Sequence, residues 1–98
     1  MTKAETILEQ LGGKMFAVMT GAKSFCGFEN TLRFKLPSRF AKEGINFVTI
    51  MLCADDTYYV EYGKLWGTKY RKMAEQSGIY ADCLRSHFTA TTGLDCTL

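Results

Sequence analysis

Apolar and polar positions alternate along this chain in two different periods. Ala4, Ile7, Leu8 and Leu11 follow the i, i+3, i+4, i+7 spacing that gathers apolar side chains on one face of a helix. Ahead of them, Thr2-Lys3-Ala4-Glu5 has the T-x-x-E form of a capping box, in which the hydroxyl and the carboxylate each satisfy an otherwise unpaired backbone N–H. Gly12-Gly13 supplies a left-handed stop, so a helix is predicted over about Lys3 to Leu11. Met15 to Thr20 is apolar at almost every position and short for a helix, which predicts a covered strand closed by Gly21. Ala22 to Asn30 reads as a loop. Leu32, Phe34 and Leu36 then alternate with Thr31, Arg33 and Lys35, the period of a half-buried strand with a basic outer face.

Pro37 cannot donate to a ladder and ends that strand, and Ser38 is placed to cap a short turn of helix that Gly44 terminates. Ile45 to Cys53 is rich in β-branched and aromatic residues, and Ala54-Asp55-Asp56 forms a tight turn into a strand over Thr57 to Leu65. Tyr70 to Gln76 is contested, because its Lys, Arg, Met, Ala, Glu and Gln favour a helix by propensity. Gly67-Thr68 has the Gly-X form of a two-residue hairpin loop, and on that ground a returning strand is predicted, broken by Ser77-Gly78. Ile79, Cys83, Leu84, Phe88 and Thr91 mark one face of a final helix, stopped by Gly93 with Leu94 as its apolar contact. The predicted architecture is a single α+β domain over residues 1–98: an N-terminal helix, a four- to five-stranded, mostly antiparallel sheet and a C-terminal helix, both helices packed on one sheet face. No repeat, linker or low-complexity segment interrupts it.

Composition adds limits. With 98 residues, 47% of them hydrophobic and 22% charged, the chain resembles an ordinary globular domain and is far from disordered compositions. No apolar run has the length of a secretory signal or a membrane span, so the expected address is the cytoplasm, without membrane contact. Cys26, Cys53, Cys83 and Cys96 form no Cys-x-x-Cys pair, and all four are expected as free thiols. Cys53 and Cys83 sit in apolar patterns and are expected to resist labelling, whereas Cys96 is expected to react.

Catalytic and metal chemistry finds little to use. His87 and Cys83 are four residues apart, as two metal ligands on one helix face can be, but both coincide with the buried stripe and no further ligands join them; no metal and no cofactor are expected. Ser86, His87 and Asp82 lack the strand-turn-helix context of a hydrolase nucleophile. Gly21-Ala22-Lys23-Ser24 approaches the end of a phosphate-binding loop, yet Ala17 and Ala22 stand where that loop requires glycine. Asp55-Asp56 is explained by turn formation.

Clustered cations and aromatics carry more. The net charge is only +2, so any basic surface must come from grouping. Arg33 and Lys35 share one strand face, Arg39 and Lys42 follow, and Lys64-Leu65-Trp66-Gly67-Thr68-Lys69-Tyr70-Arg71-Lys72 interleaves cations with Trp66 and Tyr70. Cations contact phosphates while exposed rings stack on unpaired bases, the chemistry of single-strand binding. Solubilising charge on a free sheet face, with lysine protecting an edge, accounts for much of the same pattern. The candidate nucleic-acid or partner-binding residues are Arg33, Lys35, Lys64, Trp66, Lys69, Arg71 and Lys72.

The stretches Thr6–Gly13, Met19–Lys23, Leu32–Asn46, Asp56–Tyr62 and Thr92–Leu94 resemble a family of small, uncharacterised proteins encoded by bacteriophages, prophages and mobile elements. The resemblance spans nearly the whole chain and brings no catalytic residue with it. It implies a small non-enzymatic accessory protein that acts in a bacterial host by binding a host macromolecule, a protein or protein complex such as a defence component. The alternative, from the residues themselves, is a nucleic-acid-binding protein that uses a basic and aromatic sheet face.

Overall fold

The computed structural model describes residues 3–37 and 44–94. Helix α1 (Lys3–Leu11) buries Ala4, Ile7 and Leu11, the stripe that the spacing predicts. Gly12 and Gly13 both adopt positive φ (127° and 60°) and turn the chain into a second helix, α2 (Gly13–Thr20). The strand predicted over Met15 to Thr20 is therefore corrected to a helix. Within that helix Phe16 and Thr20 are buried, four residues apart on one face, while Met15 and Val18 are exposed. A short, continuously apolar run has no period that separates helix from strand, and docking of the Phe16 ring decides it. Gly21 caps the helix at φ 75°, its N–H donating to the Ala17 carbonyl 2.9 Å away.

The predicted loop is also corrected. Lys23–Phe28 forms strand β1, paired antiparallel with β2 (Thr31–Lys35). Every residue of β1 is exposed, so this edge strand leaves no alternation in the sequence to recognise. A bulge lies between Lys23 and Cys26, with Ser24 at φ 58°. Strands β3 (Phe47–Leu52), β4 (Tyr58–Trp66) and β5 (Lys69–Ile79) complete an antiparallel meander in the order β1-β2-β3-β4-β5.

The turns follow their residues. Asp55 Oδ1 accepts from the Thr57 N–H (3.2 Å) and hydroxyl (2.6 Å), and Asp56 takes φ 64°. Trp66 pairs with Lys69 across a two-residue loop in which Gly67 has φ 61°. The helix propensity of 70–76 yields to this pairing. Ser77-Gly78 does not break the strand; it forms a bulge between the Tyr58–Ile79 and Val60–Gln76 pairs, with Gly78 at φ 69°.

A 3₁₀ turn, Ala81–Cys83, precedes α3 (Leu84–Thr92), which buries Leu84, Phe88 and Thr92. The tight turn resets the helical phase, so Ile79 remains in β5 and Cys83 faces solvent, contrary to the predicted stripe. Gly93 stops the helix at φ 78° and Leu94 packs on the core.

The helices lie on one face of the sheet. Leu32, Phe34, Val48, Ile50, Val60 and Tyr62 point from it into a core with Ile7, Leu11, Phe16 and Phe88, all at most 4% exposed. The Phe16 ring meets Phe34 and Phe88 edge-on at 5.3 and 5.1 Å between centroids. No helix among the described residues is long and apolar enough to cross a membrane. Thr2, the predicted helical turn after Ser38, Arg39, Lys42 and Cys96 lie outside the described residues.

Candidate functional site

Antiparallel register decides which side chains share the face that the helices leave open. One row across β2, β3, β4 and β5 is Arg33, Thr49, Glu61 and Glu75; the next is Lys35, Phe47, Gly63 and Lys72. Gly63 has no side chain because the Tyr70 ring lies across it, and any Cβ there would overlap the ring. Tyr70 also meets Phe47 edge-on at 5.9 Å, and its hydroxyl donates to Glu61 Oε2 at 2.6 Å. The Tyr59 hydroxyl sits 2.6 Å from Glu75 Oε2 and 3.1 Å from Glu61 Oε1, and Lys72 Nζ stands 3.1 Å from Glu75. Its bond to Glu75 holds the Tyr59 hydroxyl far above the ordinary phenol range, and burial followed by the Glu61 bond does the same for Tyr70. Glu75 is pulled below the usual carboxylate range by Tyr59 and then by Lys72.

These groups surround a shallow groove of about 430 Å³, apolar along Phe47, Met51 and Leu65, with Glu61 on one side and Arg33 on the other. Arg33 is exposed, and its side chain has no hydrogen bond or ion pair among the described residues.

The other predicted residues gather elsewhere. Lys64 pairs with Arg71 and Trp66 with Lys69, so these four alternate with Leu65 and Tyr70 and face the helix side of the sheet, beyond its cover. All four are exposed, and Lys64 Nζ lies 5.9 Å from the centre of the Trp66 ring. Tyr70, interleaved with them in sequence, faces the other way. Lys35 and Lys72 occupy the open face at the same end, and Lys35 pairs directly with Lys23 beside a pocket of about 260 Å³. Lys23 joins this group only through the β1–β2 register, which a loop over Ala22 to Asn30 does not predict.

Strand direction then sorts the charges by end. Lys23, Lys35, Lys64, Lys69, Arg71 and Lys72 cluster where β1 and β5 begin and β2 and β4 finish. Glu29, Asp55, Asp56 and Asp82 belong to connections at the opposite end. Like-charged pairs such as Lys64–Arg71 and Lys23–Lys35 are unfavourable unless an anion meets them.

Neither a protein-family model, a curated protein nor a solved structure matches the chain. Function therefore rests on the surface itself.

The remaining sequence candidates have structural roles. His87 Nδ1 lies 2.9 Å from the Tyr62 hydroxyl and its ring stacks on Tyr62 at 5.7 Å, while Cys83 is exposed on the preceding turn. Among the described residues no three His, Cys, Asp or Glu converge as metal ligands. Asp82 lies in the 3₁₀ turn and Ser86 in α3, with the His87 ring engaged by Tyr62. Lys23 begins a strand, so no helix N-terminus follows the Gly21–Ser24 segment.

Proposed function

We propose that this is a non-enzymatic binding protein whose basic end takes the phosphate backbone of a single-stranded nucleic acid, with Trp66 stacking on a base. The observation that carries the reading is the collection of Lys35, Lys64, Lys69 and Arg71 with the 46% exposed Trp66 at one end of the sheet. It moves the interface from the open face to its end, because Glu61 and Glu75 stand in that face and repel phosphate. Arg33 leaves the set, since it borders the apolar groove one row away. The phage-type setting that the resemblance implies supplies the competing reading, a host protein or protein complex as the partner.

Titration of fluorescent oligonucleotides at several salt concentrations tests this. Four to six phosphate contacts give a log–log salt slope of about −3 to −4 on a single strand. The double variant K69E/R71E is expected to remove most of the affinity, and Trp66→Ala to cost about 1–3 kcal/mol. Absence of binding at low salt, or indifference to K69E/R71E in a folded chain, rejects the proposal and favours a host protein as partner.

A further inference from the structure

The Arg33–Thr49–Glu61 row of the open face is self-complementary about β3. Arg33 on β2 and Glu61 on β4 are the two cross-strand neighbours of Thr49, one strand to either side of it. A two-fold axis parallel to β3, lying between two stacked sheets, carries the β2 side of one chain over the β4 side of the other. Arg33 of each copy then stands over Glu61 of its mate, and Thr49 faces its own equivalent. Aligned packing of this kind, with strand directions within about 30°, is an ordinary way for two sheets to meet.

The chemistry at that position suits an arginine. Glu61 gives one oxygen to Tyr59 and the other to Tyr70, using two of a carboxylate's roughly four acceptor positions. Tyr59, Tyr70 and Phe47 set aromatic surface around it, against which a guanidinium stacks. Arg33 has no carboxylate of its own among the described residues, and its side chain is long enough to enter the groove of a facing copy. Edge-to-edge pairing is the poorer route, since β1 carries one bulge and β5 is opposed by two irregularities in its ladder.

We infer that the chain forms a symmetric dimer through its open sheet face, locked by two reciprocal Arg33–Glu61 contacts around Thr49. Five strands about 4.8 Å apart and six residues about 3.3 Å each make a face on the order of 500 Å². That is below the roughly 800 Å² per partner of standard interfaces, so the dimer is expected to be a weak one. The axis leaves both basic ends on one side of the pair.

Sedimentation velocity from about 1 µM to 1 mM tests the inference on the whole chain. Wild type is expected to move from monomer to dimer, and R33E or E61R alone to weaken association by roughly 100-fold. Mixing R33E with E61R restores it, because each mutant end then meets its opposite charge in the mate. If E61R fails to fold, T49R replaces it, since it sets two like charges against each other at the axis and is expected to give a folded monomer. A wild type that stays monomeric at 1 mM, or a dimer indifferent to R33E and T49R, overturns the proposal. R33E and T49R leave Lys64, Trp66, Lys69 and Arg71 untouched on the other side of the sheet, so nucleic-acid binding is read separately through K69E/R71E.

Discussion

Single residues in this protein take their properties from the neighbour that the fold supplies. His87 is set against the buried Tyr62, and burial lowers its pKa from the ordinary 6.5. Neutral His87 accepts from or donates to the Tyr62 hydroxyl according to its tautomer, whereas the imidazolium can only donate. The unfolded chain takes up its proton first as pH falls. The stabilising contribution is therefore complete above about 6.5 and is lost as pH drops from there through the lower folded value. Urea denaturation between pH 7.5 and 5 is expected to show this loss, and His87→Gln to flatten it. Glu75 and Asp55, both held below their ordinary values, act only in a more acidic window. Cys83 makes a second case. The Asp82 carboxylate, by charge and then by hydrogen bond, raises its pKa and suppresses the thiolate. Asp82→Asn is expected to speed alkylation of Cys83 at pH 8 several-fold, read by mass spectrometry of tryptic peptides, with Cys26 as the unchanged reference. The turn of Asp55 and the φ > 0 glycines were legible residue by residue. Exposure of Cys83 was not, because it depends on where a 3₁₀ turn hands over to a helix.

Elements whose burial is periodic were legible, and those without a period were not. α1 matches its predicted bounds because its stripe repeats over two turns, and β2 because Leu32, Phe34 and Leu36 alternate with polar residues. α2 and β1 failed for opposite reasons: one is apolar throughout, the other exposed throughout. β1 nevertheless makes a close contact with α1. Gly27 of β1 lies under α1, where an added Cβ would stand 2.7 Å from the Ala4 Cβ, a pair of backbone-anchored atoms that cannot swing aside. Gly27→Ala is expected to cost about 1–3 kcal/mol by lifting the helix. Ala4→Gly alone costs about 1 kcal/mol through helix propensity. It also reopens the gap, so the double variant is expected to be clearly more stable than the sum of the single losses, measured by chemical denaturation. Strict additivity would show that the contact does not set the docking distance.

At the scale of the whole molecule, the meander converts a scattered charge pattern into a polar object, with cations at one end of the strands and Glu29, Asp55, Asp56 and Asp82 at the other. Nothing in the net charge of +2 announces this, because it arises from strand direction and not from composition. The candidate residues show the same division. Residue type and proximity in sequence group Arg33, Lys35 and Lys72 with Lys64, Trp66, Lys69 and Arg71, whereas register sends the first three to one side of the sheet and the last four to the other. Tyr70 and Trp66, four residues apart across a hairpin loop, end on opposite faces, one bonded to Glu61 and one free to stack. By itself the sequence determined the α+β class, the terminal amphipathic helices, the hairpin at Gly67 and the face of β2 that is buried, because each is written in spacing a few residues long. Only the tertiary structure decided that Met15 to Thr20 is helical, that Lys23 begins an edge strand, and which cations and aromatics meet. Those outcomes depend on contacts between residues far apart in the chain, and no local period records them.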